Sequence, residues 1–343
     1  MSTDASPAPA AAPSVATATK ARRSGQVREI VENSLGLAAV LALLVGLFSF
    51  KTEHFFSTTT FQAIANEIPT AIFIAVGMTF VLLIGGIDLS VGSILALGAG
   101  VFGVALVQWH WPLWAAVLAC VGTGALCGLL NGVLTIRFQL PSFIVTLGML
   151  EAARGATYLV TNSQTMYIGP AAEAINNVSL FGLSLPFLAA VALAVVAQTV
   201  LTGTVFGRYM IALGTNEEAV RLSGIDPRPI RLWVFALSGG LAAVGGISYC
   251  AQLSSADPNA GSGFELAAIA AVVIGGTSLM GGRGSVINSL FGVLIIAVLG
   301  SGLAQIGAQE SVKRMVTGGV IIVAVIVDFY RTRYAQRAAR ASQ

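Results

Sequence analysis

The stretch TAIFIAVGMTFVLLIGGIDLSVGSILALGAGVFGVALV, residues 70–107, contains one charged side chain, Asp88. No other Asp, Glu, Lys or Arg occurs between Glu67 and Arg137. A helix needs roughly 20 apolar residues to cross the hydrocarbon core of a bilayer, so this region is long enough to cross it more than once. Because its apolar residues are continuous rather than alternating, the region predicts membrane helices and not a β-barrel.

The composition of the whole chain also indicates that its surroundings are lipid. The 343 residues are 56% hydrophobic and 10% charged, with a mean hydropathy of +0.85. Soluble domains contain about one quarter charged residues, so this chain cannot cover its surface with polar groups. We predict an all-α, polytopic helical membrane protein.

Ten apolar runs predict about ten transmembrane segments. They lie at residues 35–50, 68–84, 88–107, 112–135, 142–160, 182–202, 231–252, 264–281, 285–305 and 313–329. The eighth run could instead be re-entrant, because Gly275, Gly276, Gly281 and Gly282 lie at or just after its end and glycine weakens helices.

The distribution of Lys and Arg predicts the orientation. With both termini in the cytoplasm, most of the 18 Lys and Arg residues lie inside, and only Lys51, Lys313 and Arg314 lie outside. We predict three parts: a disordered cytoplasmic tail at 1–33, a membrane domain at 34–330 with a large inside loop at about 203–230, and a basic cytoplasmic tail at 331–343.

Several kinds of site are not predicted. The 3 Cys residues have no Cys-x-x-Cys spacing, and there are only 2 His residues, so neither a disulfide framework nor a metal site is indicated. No P-loop sequence occurs, and no nucleophile–base pair is apparent. We therefore predict that the chain is not an enzyme and binds no cofactor. We also predict that it lies in the lipid bilayer and binds no nucleic acid.

Asp88 allows two interpretations. Gly85 and Gly86 weaken the preceding helix, and both Asp88 and Ser90 are good N-cap residues for a following one, so the carboxylate could cap a turn at the cytoplasmic interface. Alternatively the helix is broken at depth and the carboxylate faces a polar pathway. Burying the charge centrally costs about 3 kcal/mol or more, which favours the cap, but a capped turn could also border the pathway.

Two other features stand out in the apolar runs: a pair of charged residues, and a second glycine-rich stretch that could interrupt a helix. Glu151 and Arg154 are spaced i, i+3, so they are expected to share a helix face and to pair. The sequence at 273–285 resembles the one at 83–93 in its Ile-Gly-Gly. That echo could be chance, but both stretches predict a helix break near a membrane boundary.

The inside loop contains a predicted helix from Asn216 to Ser223, with Gly224 as its stop. A short amphipathic helix projecting from a membrane bundle suits docking into a groove of a partner protein. The alternative is a basic loop held at anionic headgroups, which the alternating acids and bases of the helix make less convincing.

Three motifs together resemble a known family. GGIDLSVGS at 85–93, GTNEEAVRLSGID at 214–226 and GGTSLMGGRGSVINSLFGV at 275–293 are similar to the permease subunits of bacterial ABC importers for ribose, xylose and related monosaccharides. The resemblance runs from about residue 35 to 330, so the membrane domain would be a permease domain. Branched-chain amino-acid permeases are more distant relatives, and the motifs do not select a substrate.

The resemblance implies an assembly. It has two permease copies, here a homodimer, two ATP-binding cassette subunits that hold the ATP and Mg, and a periplasmic sugar-binding protein, all at the bacterial inner (cytoplasmic) membrane. The residues implied to couple to the ATPase are Glu217, Glu218, Ala219, Gly224, Ile225 and Asp226. Val220 departs from the Ala that the family's Glu-Ala-Ala-x-x-x-Gly element has there.

A neutral sugar needs scattered hydroxyl and amide partners rather than a charged pocket. The candidate pathway residues are Asp88, Ser90, Ser93, Asn131, Thr146, Thr277 and Asn288. The competing function is an ion-coupled secondary transporter or a channel for a small polar solute, since such proteins use intramembrane acids as ion sites.

Overall fold

The computed structural model describes residues 34–177, 179–180 and 182–341. The predicted disordered tail at 1–33 lies outside the described residues. The helices are α1 Ser34–Lys51, α2 Thr58–Glu67, α3 Pro69–Leu83, α4 Val91–Val107, α5 Leu113–Phe138, α6 Ser142–Val160, α7 Pro170–Asn177, α8 Leu185–Gly203, α9 Val205–Thr215, α10 Glu217–Leu222, α11 Arg228–Leu253, α12 Phe264–Ile274, α13 Val286–Gln305 and α14 Glu310–Ala341. The predicted all-α membrane class is confirmed.

Four two-residue strands connect the loops at one end of the bundle. β1 (Met166–Tyr167) pairs antiparallel with β4 (Ser255–Ala256), and β2 (Ser179–Leu180) pairs with β3 (Leu183–Ser184). The β1–β4 pair joins the loop after α6 to the loop after α11, so both loops lie at the same end of the bundle.

The helix lengths divide the predicted segments into full and partial spans. Within the described residues, α1, α5, α6, α8, α11 and α13 are long and apolar enough to cross a membrane, and α2 with α3, bent by 48°, would make a seventh. α4, with 17 residues, and α12, with 11, are shorter. The predicted eighth segment is therefore helical only to Ile274, because the glycines from Gly275 onward end it.

The described end of the chain is continuous with the last helix. α14 runs from Glu310 to Ala341 without a break at residue 330. The division between the predicted membrane domain and the predicted basic tail is thus not marked by an interruption of the helix, and residues 342–343 lie outside the described part.

α11 is the central helix of the bundle. It has 26 residues, a length of about 39 Å, and small residues let its neighbours approach closely. A Cβ added to Gly128 of α5 would overlap the Phe235 carbonyl, and one added to Gly246 would overlap the Leu95 carbonyl of α4.

The contacts along α11 also give the depth of the other elements. Gly98 and Gly103 of α4 lie against Ala243 and Ala256, so α4 runs parallel to α11. Gly77 of α3 lies against Ser238, and Thr70 bonds the carbonyl of Gly245, so α3 is antiparallel to it.

The loop after β4 is re-entrant, because it folds back into the bundle. Gly261 packs backbone to backbone on Gly92 at the start of α4. Gly92 lies four residues after Asp88, which bonds Ser238, so it is level with the middle of α11. Residues 257–263 therefore dip from the β1–β4 end of the bundle to its mid-depth, level with the middle of α11, and α12 begins there.

Candidate functional site

The first helix break, at residues 84–90, separates α3 from α4 and begins at Gly85, whose φ is +73°. α6 supplies hydroxyl groups that bond its backbone. The Ile87 N–H donates to Ser142 Oγ at 2.9 Å, and the Leu89 N–H donates to Thr146 Oγ1 at 3.1 Å. These bonds replace the helical hydrogen bonds that the break removes. The hydrocarbon core of a membrane has no groups that could replace them.

Asp88 lies at the centre of a buried polar cluster. Its Oδ1 accepts the Ser90 N–H at 3.0 Å and the Ser90 hydroxyl at 2.6 Å, and its Oδ2 accepts the Ser238 hydroxyl of α11 at 2.9 Å. Asn131 Nδ2 of α5 donates to Ser90 Oγ at 3.0 Å. We call Asp88, Ser90, Asn131 and Ser238 the Asp88 cluster.

The cap interpretation of Asp88 is not confirmed. The Asp88 carboxylate accepts the Ser90 N–H, but Ser90 is itself the N-cap residue of α4, and no side chain of the described residues caps that helix. Asp88 and Ser90 have 0% exposure, because α5 and α11 cover the break from the sides, which the local sequence does not show. Whether Asp88 lies at the membrane interface or borders a pathway stays a prediction.

The second break, at residues 275–285, separates α12 from α13 and is richer in glycine. Gly276, Gly281 and Gly282 all have positive φ. Gln198 of α8 holds its far end, because the amide Oε1 accepts from Val286 N at 2.8 Å, Ile287 N at 3.2 Å and Ser285 Oγ at 3.2 Å. One side chain from another helix thus satisfies donors that the first turn of α13 leaves open.

Sequence reasoning missed Gln198. The signal was available, since it is the only amide side chain within α8. Its partners, however, lie 87 to 89 residues further along the chain, so the sequence alone did not indicate what it bonds.

The seven candidate pathway residues fall into two groups, and all are buried. Asp88, Ser90, Asn131 and Thr146 are bonded at the first break, and Ser93 lies on the first turn of α4. Thr277 and Asn288 belong to the second break, where Thr277 Oγ1 has no hydrogen-bond partner among the described residues. Their role in a pathway stays a prediction.

The two breaks touch each other and the end of α9. The Gly282 N–H donates to the Leu83 carbonyl at 2.9 Å. Gly214 of α9 fits against both, because an added Cβ would overlap Leu83 O and crowd Gly282 N. The two stretches that echo each other in sequence are therefore neighbours in space. We call Leu83, Gly214 and Gly282 the glycine junction.

α10 is the predicted helix of the inside loop, and its local signals are confirmed. The Ala219 N–H donates to Asn216 Oδ1 at 3.0 Å, which caps the helix, and Gly224 has a φ of +79° after it. Only Asn216 separates α10 from α9, so α10 is joined directly to the helix that ends at the glycine junction.

Some of the candidate coupling residues bond other parts of the chain, and others are exposed. Glu217 pairs with Arg231 of α11 at 2.6 Å, and Asp226 accepts the Arg228 N–H at 3.0 Å. Ala219 and Gly224 are exposed and Ile225 is half-buried. Glu218 bonds only Arg221 of its own helix, at 2.9 Å, among the described residues.

The predicted Glu151–Arg154 pair is wrong. No ion pair joins them in the described structure. Instead Arg154 Nη1 donates to the carbonyls of Pro258 at 2.7 Å and Ala260 at 2.8 Å in the re-entrant loop. The guanidinium thus bonds carbonyl groups of a loop about a hundred residues later in the chain. Glu151 stays exposed on α6.

These features define a class of membrane protein: a helical bundle with two broken helices in contact and a short polar helix joined to them. Comparison with known proteins agrees with that class. Residues 60–325 match the family described as branched-chain amino acid transport system / permease component. The chain belongs to this family.

Individual relatives are named for sugars. The chain is 40% identical over 299 residues to the ribose import permease protein RbsC of Escherichia coli (strain K12), covering 84% of this chain and 91% of that one. It is 31% identical over 315 residues to the fructose import permease protein FrcC of Rhizobium meliloti, covering 88% of each.

A third relative is the D-allose transport system permease protein AlsC of Escherichia coli (strain K12), 35% identical over 296 residues, covering 85% of this chain and 90% of that one. The family resemblance found in the three motifs is confirmed, as are the predicted multi-pass topology and inner-membrane location.

Proposed function

We propose that this chain is the transmembrane permease subunit of an ATP-driven importer that moves a monosaccharide. The observation that carries the proposal is the continuous path from an exposed helix, α10, through Asn216 and α9, to the glycine junction where both helix breaks meet. Such a path connects a docking surface to the two interrupted helices in which transporters of this kind place their moving parts.

The partners follow from the same proposal. An ATP-binding cassette subunit holds ATP and Mg and docks on α10, a periplasmic sugar-binding protein delivers the sugar on the opposite side, and a second copy of the chain completes a homodimer. Both termini are cytoplasmic in this arrangement. The chain itself holds no cofactor, since its sequence lacks a P-loop.

The substrate class is inferred from the relatives. The family description names branched-chain amino acids, whereas the relatives described above are named for ribose, fructose and allose. Since those relatives match nearly the whole membrane region at up to 40% identity, a monosaccharide is the better inference, and the choice among monosaccharides is left to the binding protein.

The surface of α10 suits the ATPase. Leu222 is 80% exposed and Val220 is 6% exposed, so the helix holds itself to the bundle by Val220 and presents Leu222 outward. The ion pair of Glu217 with Arg231 ties α10 to α11. A force applied at Leu222 would therefore move α9 and α11 together.

The competing ion-coupled function gains no support from the geometry. An ion site at Asp88 would need free carboxylate oxygens, but both oxygens accept hydrogen bonds, and Asp88 has 0% exposure. Uptake by the purified chain in vesicles with a proton or sodium gradient and no ATPase would nevertheless favour that function.

The test uses the complete complex with loaded binding protein, reconstituted in vesicles. We expect Leu222→Glu to abolish most sugar-stimulated ATP hydrolysis, because a buried charge without a partner is costly at a protein interface. Leu222→Met is the matched control and should keep the stimulation, since it keeps an apolar side chain of similar volume.

Leu222 is exposed, so neither variant is expected to alter folding of the permease. Equal stimulation in Leu222→Glu and in the unmodified complex would contradict docking on α10. Failure of the unmodified complex to hydrolyse ATP in response to any sugar-loaded binding protein would contradict the proposed function as a whole.

A further inference from the structure

The exposed face of α6 changes character halfway along the helix. Its first half presents Phe143, Ile144 and Leu147, exposed by 47%, 50% and 50%. Its second half presents Glu151, Arg154 and Tyr158, which are spaced three and four residues apart and so share one face, while Leu159 is exposed by 81% beside them. We call Glu151, Arg154 and Tyr158, together with Asn259, the α6 polar face.

The polar half of this face begins in the middle of a candidate membrane span. Glu151 is the tenth of the 19 residues of α6. Thr146 bonds Leu89 of the first break and Thr157 lies beside Gly100 in the middle of α4, so Glu151 lies between the levels of these two contacts. Ionisable side chains at such depth face a bundle interior or water, not hydrocarbon.

The re-entrant loop completes the face. Tyr158 Oη donates to Asn259 Oδ1 at 2.8 Å, and Arg154 holds two loop carbonyls through Nη1 alone. The Nε and Nη2 groups of Arg154 have no protein partner among the described residues. Glu151 is exposed, so a carboxylate and part of a guanidinium are open on one surface, beside an exposed Asn259 amide that also donates to Asp257 Oδ1 at 3.4 Å.

This chemistry suits a neutral polyhydroxylated ligand. Carboxylate oxygens accept from sugar hydroxyls, and guanidinium and amide N–H groups donate to them. Glu151 and Arg154 have opposite charges, and Asp257, whose carboxylate accepts from Asn259, adds a second acid beside the face, so the face does not favour an anion. The apolar first half of α6 offers no such partners.

We propose that the α6 polar face lines the water-filled part of the translocation pathway and contacts the monosaccharide as it crosses. The proposal rests on the proposed function and deepens it. It moves the pathway away from the Asp88 cluster, whose polar groups are buried and bonded to one another, to a surface whose polar groups are open and which begins more than one helical turn further along the bundle.

Accessibility tests the first part of the proposal. Cysteine is introduced at Glu151, at Tyr158 and, as a lipid-facing control, at Leu126 of α5, which is 62% exposed at mid-helix. In the assembled complex in native membranes, a membrane-impermeant cationic thiosulfonate should modify Glu151→Cys and Tyr158→Cys at least about tenfold faster than Leu126→Cys, since only a hydrated thiol ionises readily.

All variants carry Cys127→Ser, and that chain alone gives the background, because Cys127 is partly exposed whereas Cys120 and Cys250 are buried. Rates equal to that of Leu126→Cys would show that the face meets lipid and would overturn the proposal. Fast labelling in the isolated chain but slow labelling in the complex throughout the ATP cycle would show a covered subunit interface, which would overturn it as well.

Transport tests the second part. Glu151→Leu should lower the amount of sugar moved per ATP hydrolysed by about tenfold, a change that removal of polar contacts commonly produces, while Glu151→Gln should keep most of it because the amide still bonds hydroxyls. Stimulation of ATP hydrolysis by the loaded binding protein should persist in both variants.

Unchanged transport per ATP in Glu151→Leu would overturn sugar contact at this face. That result differs from failure of the proposed function, in which the unmodified complex would show no sugar-stimulated hydrolysis and no uptake at all.

Discussion

The two helix breaks share the sequence Ile-Gly-Gly but satisfy their polar groups differently. The first break uses a carboxylate of its own, and Asp88 collects donors from its own turn and from α11. The second break contains no such acid, and Gln198 reaches in from α8 to hold the start of α13. A broken helix at depth therefore needs an acceptor for its free N–H groups, but the acceptor can be local or distant.

The breaks also differ in what they leave unsatisfied. At the first break, Asn131 Oδ1 lacks a partner, and at the second Thr277 Oγ1 does, both within the described residues. Three substitutions compare how much each arrangement contributes, and they are ordered by the size of the expected effect.

The largest effect is expected at Asp88. Asp88→Leu would leave the Ser90 N–H and the hydroxyls of Ser90 and Ser238 buried without an acceptor, which should cost about 3 kcal/mol or more. We expect a clearly lower midpoint of thermal unfolding in detergent, measured by intrinsic fluorescence. Asp88→Asn, which keeps one acceptor oxygen, is the control and should lose much less. A Leu variant as stable as the Asn variant would show that the first break does not depend on its acceptor.

A smaller effect is expected at Gln198. Gln198→Leu removes the acceptor for Val286 N, Ile287 N and Ser285 Oγ. The two N–H groups lie at a helix start, where they can find water or a neighbouring carbonyl, so a loss of about 2 kcal/mol is expected. Gln198→Glu keeps the acceptor and adds a charge that a helix N-terminus favours. The same unfolding measurement should rank Glu above Leu, and the opposite ranking would contradict the capping role.

The smallest effect is expected at Thr277. Its hydroxyl is buried without a partner, so Thr277→Val removes an unsatisfied group while keeping the shape, and should change the unfolding free energy by less than about 1 kcal/mol, in the stabilising direction. Thr277→Ser is the control that keeps the hydroxyl and removes a methyl group. If Val is markedly destabilising, the hydroxyl has a partner in the folded membrane protein.

Much of the architecture is predictable from particular residues. Gly85 and Gly86 end one helix, Gly275 and Gly276 end another, and Asn216 and Gly224 delimit α10, each through a local preference for a turn or a cap. The family motifs were also readable, since they consist of these same interruptions. The candidate pathway was less predictable, because polar residue type does not show which side chains are open.

The pair of Glu151 and Arg154 shows why local spacing is an incomplete guide. An i, i+3 pair is possible on any helix. Arg154 instead bonds carbonyl groups about a hundred residues later in the chain. Those carbonyls belong to a loop that returns to mid-depth, and no feature of the sequence indicates that return. Gln198 and Ser238 are similar cases, as their partners come from other helices.

The sequence by itself determined that this chain is a helical membrane protein, where most of its helices lie and where two of them break, because apolar run length and glycine or capping residues act over a few neighbouring positions. Only the tertiary structure decided the partner of each polar group, the contact between the breaks and the return of residues 257–263 to mid-depth. The physical reason is that a buried hydrogen-bonding group must find a partner somewhere in the fold, and helix packing, not chain proximity, determines which partner lies within reach.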